Sequence, residues 1–284
     1  MWKYLLFSMA LLGLGGFLAP SCAHPPAKVS DRGAPRWHER PTSAPRACFL
    51  LHELGVGPVV RAPFEGCAIR VTPASTFKIP HALAALDAGV LTPDEVFRYD
   101  GSPWPHESYR RDQTLATAIR YSVVWYFQEL ARRLGPAREL EYLAKLDYGN
   151  RDISGGLTSF WLYESLSISP DEEEKFLLRL YQDELPVAHA AEEVVRRALV
   201  QPVGMIVNAT GAHPFAQPWP AGTVVSAKTG SGTQPNRPDV RWLVGHVRRG
   251  TRAWIFVSNV VGEDLAPLAA VDLAARSLKR AGVL

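Results

Sequence analysis

Residues 73–80 read Pro73-Ala74-Ser75-Thr76-Phe77-Lys78-Ile79-Pro80, and what flanks them sets the organisation of the chain. From Ser75 onward the apolar residues Phe77, Ile79, Leu83 and Leu86 recur at helical spacing and Gly89 ends the run, so a helix is expected to start at Ser75. Residues three apart on a helix share a face, which sets the Lys78 amine beside the Ser75 hydroxyl. A serine hydroxyl is a weak nucleophile until a neighbouring base takes its proton. Apolar surroundings disfavour the ammonium form of a lysine and leave a neutral amine able to be that base. The start of a helix adds amide N–H donors and a dipole that favours developing negative charge. By itself, Ser-x-x-Lys reads equally as a capping serine beside a surface lysine, so the rest of the chain decides.

Working outward toward the N-terminus, two strand-like runs at 48–54 and 58–61 flank Gly55-Val56-Gly57, which signals a hairpin. Toward the C-terminus, Val123, Phe127, Leu130 and Leu134 fall at helical spacing and Gly135-Pro136 should stop that helix. Further helices are expected around Phe176, Leu177, Leu180 and Tyr181, around Val194, Val195 and Leu199, and over about 266–279. Residues 223–228, 241–247 and 253–258 alternate or run apolar like strands. Strands at both chain ends with helices between them predict an α/β (α+β) domain over 46–284, with a central antiparallel sheet built from both termini and flanked by helices. A doubly wound parallel sheet would need steady strand–helix alternation, which is absent.

The first residues give an export signal: Lys3, an apolar run over 5–18, then small residues. The run is too short to span a bilayer, which needs about 20 apolar residues. Cleavage after Ala23 would define a signal peptide over 1–23 and deliver the chain to the bacterial periplasm. Alternatively, Leu18-Ala19-Pro20-Ser21-Cys22 is an imperfect lipoprotein box, and lipidation of Cys22 would anchor the chain to a membrane. Residues 24–45, rich in proline and charge, read as a flexible leader. Setting Cys22 aside leaves Cys48 and Cys67, an even pair in an exported chain, read as a disulfide or as two buried thiols. With 47% hydrophobic and 21% charged residues over 284 positions the chain is not disordered. A net charge of +3 with scattered arginines excludes a nucleic-acid stripe. The eight histidines show no H-x-H-x-D or H-E-x-x-H spacing, so no metal is expected. G-x-S-x-G is absent, which excludes an α/β-hydrolase elbow.

Two further clusters carry chemistry. Ser122-Val123-Val124 opens an apolar helix, and a second hydroxyl near the first can relay a proton. Lys228-Thr229-Gly230, followed by Ser231, ends a strand with a cation and hydroxyls suited to a substrate carboxylate, beside a glycine that lets a ligand approach the backbone. Ser-x-x-Lys, Ser-x-Val and Lys-Thr-Gly in that order is the arrangement of penicillin-recognising serine enzymes. From about Cys48 to near its end the chain resembles a class D (oxacillinase-type) serine β-lactamase. The resemblance rests on residues 73–80, on Tyr148-Gly149-Asn150, Ile153-Ser154-Gly155-Gly156 and Phe160-Trp161-Leu162, and on Lys228-Thr229-Gly230. Class A enzymes would show Ser-Asp-Asn at 122–124.

The resemblance implies a serine β-lactamase/penicillin-binding-protein-like fold and hydrolysis of β-lactam antibiotics, penicillins and oxacillin-like compounds, as a resistance activity. Ser75 would be the acylated nucleophile, Ser122 the proton donor to the leaving nitrogen, and Lys78, carbamylated by carbon dioxide or bicarbonate to N6-carboxylysine, the general base. Val124, Trp161 and Leu162 would line the carbamate pocket, with the Trp161 indole N–H holding the group. The amides of Ser75 and Ser231 would form the oxyanion hole, and Lys228, Thr229, Gly230 and Ser231 would bind the substrate. No other cofactor is implied, and the protein would be a monomer or homodimer. One departure stands out: many relatives carry an arginine for the substrate carboxylate where this chain has Ala269 or Ala270. The alternative is a β-lactam sensor-like domain, acylated on serine without turnover.

Overall fold

The computed structural model describes residues 45–62, 65–162 and 164–284; the expected signal segment, Cys22 and the leader up to residue 44 lie outside the described residues. The described residues open with the antiparallel hairpin β1 (Arg46–Glu53) and β2 (Gly57–Ala62). The helical part follows: α1 (Lys78–Asp87), α2 (Leu115–Arg120), α3 (Val124–Lys145), α4 (Pro170–Tyr181) and α5 (His189–Ala198). A small hairpin of β3 (Met205–Asn208) and β4 (Gly211–Pro214) leads to β5 (Thr223–Gly232), β6 (Asp239–Arg249) and β7 (Arg252–Gly262), and α6 (Ala269–Arg280) closes the chain. The main sheet has five strands in the order β2-β1-β7-β6-β5, all neighbours antiparallel, so among the described residues the first strand pairs with the last.

Side chains of a strand alternate between faces, and β1 uses both. Phe49 and Leu51 pack with Leu243, Val247 and Phe256 against Ala270, Val271, Ala274 and Leu278 of α6. Cys48 and Leu50 face the other way, with Trp242, Val244, Ile255 and Val257, toward Phe77, Phe127 and Phe176 of the helical part. Burying each of these large side chains contributes roughly 1.5–3 kcal/mol. Cys48 and Cys67 form a disulfide that ties β1 to the short turn Glu65–Ala68.

Three helix boundaries differ from the sequence expectation. Ala74–Phe77 is a 3-10 turn and α1 proper starts at Lys78, because Thr76 N–H bonds Pro73 O and Lys78 N–H bonds Ser75 O, three residues back. The helix stop at Gly135-Pro136 is a break rather than an end. Gly135 adopts φ 71 and ψ 163, and Pro136 then opens a second helical stretch, a place where its missing N–H costs nothing. The last helix begins at Ala269, after a turn in which Ala269 N–H bonds Ala266 O. The sequence reading also missed the β3–β4 hairpin, four residues a side, and the six-residue α2, which Thr114 and Thr117 cap reciprocally.

Candidate active site

The nucleophile turn is built by backbone constraint. Ala74 has φ 47, a left-handed conformation that a residue with a Cβ avoids, and it sets Ser75 at the head of the 3-10 turn. The turn is pinned from beneath: Thr76 Oγ1 donates to Pro73 O at 2.9 Å, Trp242 Nε1 to Thr72 O at 2.9 Å and Thr72 Oγ1 to Trp161 O at 3.1 Å. Ser75 stays partly exposed while its neighbours are buried.

Lys78 is fully buried, and its Nζ donates to Ser75 Oγ at 2.7 Å. The Phe127 ring centroid lies 5.5 Å from Nζ. Desolvation first, and the charge of Lys228 second, hold the Lys78 amine well below the ordinary lysine range. A neutral amine next to a serine hydroxyl accepts its proton, which is the chemistry the pair can perform.

Ser122 sits at a helix end. Its N–H bonds Ile119 O and the N–H of Val123 bonds Ala118 O, the double closure that ends helices with a left-handed residue. Glycine normally fills that position, yet Ser122 holds it at φ 59 and buried. Tyr109 Oη clamps the turn by donating to Ser122 O at 2.6 Å. Lys228, on β5, donates from Nζ to Ser122 Oγ at 2.9 Å and to Thr229 O at 3.0 Å. Burial pushes the Lys228 amine down to about 7, so near neutrality it both gives and takes a proton.

Strand β5 packs edge-on against the nucleophile turn, and Gly230 is what lets it. A Cβ there would stand 3.0 Å from Pro73 O and 3.1 Å from both Thr76 Cγ2 and Trp242 Cβ. On either side of Gly230, Thr229 is half-buried and Ser231 exposed. The segment from Tyr148 to Leu162 reaches the same turn through Trp161, whose carbonyl takes the Thr72 hydroxyl. Gly149 has φ 56 and its Cα is so close to Ser167 O that a Cβ would stand 2.3 Å from it. Trp161 is fully buried with Nε1 lacking any hydrogen-bond partner, and its ring stacks 5.6 Å from that of Phe77. A buried donor without an acceptor costs about 1–3 kcal/mol. Val124 and Leu162 are half-buried apolar neighbours packed on the same core.

Ala269 opens α6 and Ala270 is buried against Ser258, which donates to its carbonyl, so neither supplies a cation. Arg241 on β6 lies across from Ser231 in the ladder, but it is spent on Gly232 O, Thr233 Oγ1, Leu265 O and Asp239. The sequence reading passed over Tyr109, Phe127 and Trp242, whose contacts are long-range. It also passed over Glu173 of α4, fully buried and taking a hydrogen bond from Tyr148 Oη at 2.8 Å.

Two serine–lysine pairs, one at the head of a helix and one linking a helix end to the edge strand of an antiparallel sheet, define a penicillin-recognising serine enzyme. Residues 63–278 match the penicillin-binding protein transpeptidase domain. The chain is 32% identical over 287 residues to "Probable beta-lactamase YbxI" of Bacillus subtilis, covering 100% of this chain and 98% of the relative. Among solved structures it superposes on class D beta-lactamase BAT-2 with TM-score 0.73 at 32% identity, over 84% of this chain and 93% of that one. It also superposes on the C-terminal domain of the Bacillus licheniformis BlaR penicillin-receptor with TM-score 0.74 at 28% identity, over 84% and 92%. The chain belongs to the class D serine β-lactamases.

Proposed function

We propose that this protein hydrolyses penicillins, oxacillin-like compounds among them, through an ester on Ser75, with Lys78 carbamylated by carbon dioxide. The observation that carries the reading is Lys78 itself: fully buried, held neutral by desolvation, and 2.7 Å from Ser75 Oγ. A neutral amine adds carbon dioxide and loses one proton to give a carbamate, and Trp161 Nε1, an orphaned buried donor, is the residue that would hold it. When present, the group supplies a carboxylate-type proton acceptor beside Ser75, for the serine and then for water.

The chain's own residues do the rest. Ser75 Oγ yields its proton to the Lys78 side chain as it attacks the lactam carbonyl. The backbone N–H groups of Ser75 and Ser231 receive the developing oxyanion. As the C–N bond breaks, Ser122 Oγ gives its proton to the nitrogen and is resupplied from Lys228 Nζ at 2.9 Å. Thr229 and Ser231 hydroxyls, with Lys228, hold the substrate carboxylate without an arginine at Ala269 or Ala270. Export by the N-terminal signal would put this activity in the periplasm, free or anchored through Cys22.

The likeness to a penicillin-receptor domain makes the second reading specific: acylation of Ser75 without deacylation. Turnover of a chromogenic cephalosporin and a penicillin, with and without bicarbonate, separates the two, with Ser75→Ala as the control. Many turnovers, raised by bicarbonate, support hydrolysis. One stoichiometric burst with a stable Ser75 adduct replaces it by the sensor reading.

A further inference from the structure

The loop after α4 and the start of α5 bring together three metal-ligating side chains that β-lactam chemistry does not use. Asp183 lies in the loop, His189 opens α5, and Glu192 follows three residues later on the same helix face. His189 Nδ1 is 3.0 Å from Asp183 Oδ1 and 3.7 Å from Glu192 Oε2. Two donors each about 2.1 Å from one tetrahedral ion stand roughly 3.4 Å apart, so the two separations bracket that spacing. On the far side of the imidazole, Nε2 lies 3.4 Å from Glu193 Oε1. A carboxylate behind the ring fixes which nitrogen is presented to a metal.

The independent sign of a ligand is Glu192. The residue is 1% exposed, yet its Oε1 has no hydrogen-bond partner. An acceptor buried in that way is destabilising until a cation or donor meets it. Two features oppose a cation: the positive end of α5, and Arg196, which holds Asp183 Oδ1 at 2.7 Å and Leu180 O at 2.9 Å. Asp183, Glu192 and Arg196 together still carry one net negative charge, and the guanidinium stays anchored on the Leu180 carbonyl if Asp183 turns to an ion. We propose that Asp183, His189 and Glu192 form a site for a divalent cation of the zinc class, with water completing the shell, that clasps the α4–α5 loop to α5. Neither H-x-H-x-D nor H-E-x-x-H spacing would find it, because one ligand comes from a loop with a left-handed residue, Asp183 at φ 59.

Isothermal titration of zinc sulfate into the chelator-treated mature chain tests the site. One saturable site is expected, with affinity at least tenfold weaker in His189→Ala and in Glu192→Gln. Zinc should also raise the thermal midpoint of the wild type but not that of His189→Ala. Penicillin turnover by the metal-free variants should match the wild type. No saturable heat, or equal binding by the wild type and His189→Ala, would overturn the proposal, and either result leaves the β-lactamase reading standing.

Discussion

Glu173 carries a pH dependence that can be worked out before it is measured. Its carboxyl is fully buried, Oε2 takes the Tyr148 hydroxyl and Oε1 has no partner. Desolvation raises it from 4.5 to about 7, and the Tyr148 hydrogen bond offsets only part of that. The folded protein therefore keeps a proton that the unfolded chain has already released. Stability from this group is intact below about pH 4.5, falls as pH rises toward 7, and is flat above. A pKa difference of that size corresponds to about 3 kcal/mol of stability absent at pH 8.5. Glu173→Gln keeps the shape and the acceptor for Tyr148 but has no charge to bury. Urea unfolding should give nearly equal stabilities for wild type and variant at pH 5, within about 1 kcal/mol. At pH 8.5 the variant should be the more stable by about 3 kcal/mol. Every other titrating group is common to both proteins, so the pH dependence of their difference isolates Glu173. Parallel stability curves from pH 5 to 8.5 would refute the reasoning, because they would mean that the buried carboxyl titrates as it does in water.

Other outcomes follow from the site. Gly230→Ala should slow acylation of Ser75 by at least about tenfold, the usual cost of a small displacement of reacting groups, read by fluorescent-penicillin labelling; unchanged labelling would show that β5 has room to move. Trp161→Phe should abolish the bicarbonate response of turnover while Ser75 still acylates, and a retained response would place the carbamate donor elsewhere. Removing the Cys48–Cys67 bridge, with a separation of 19 residues, should cost about 3 kcal/mol in denaturant unfolding, set by the loop it closes. Ser122→Ala should leave Lys228 Nζ without its side-chain partner and depress both acylation and leaving-group protonation, so burst and steady-state rates should fall together.

The parts of the fold legible in the sequence were those where one local rule acts. β6 and β7 are buried on both faces and read as apolar runs, and Phe176, Leu177, Leu180 and Tyr181 at helical spacing mark α4. The β3–β4 hairpin was missed because four-residue strands carry too little periodicity, and α2 because six residues make less than two turns. Ser75, Lys78, Ser122 and Lys228 were found from three short motifs in order, and they stand together here as two hydrogen-bonded pairs. What joins the pairs was not legible. Tyr109 reaches Ser122 across 13 positions, Trp242 reaches Thr72 across 170, and no spacing rule links such residues.

Backbone strain gives an independent pointer to the same place. Among the described non-glycine residues with positive φ, Asp147, Asp183, Asn236 and Asp264 are of the types that tolerate it. Ala74 and Ser122 are not, and each pays roughly 1–2 kcal/mol to hold a left-handed conformation. One stands immediately before Ser75, the proposed nucleophile, and the other is Ser122, the proposed proton relay. Glycine at 122 would relieve the strain and close the end of α2 equally well, but it would remove the hydroxyl that Lys228 holds at 2.9 Å. Arg151 and Ala216 share the conformation. Strain at Ala74 and Ser122 is thus tied to where the reacting oxygens must be, while Tyr109 Oη and the contacts around Thr72 and Pro73 hold the turns against relaxing.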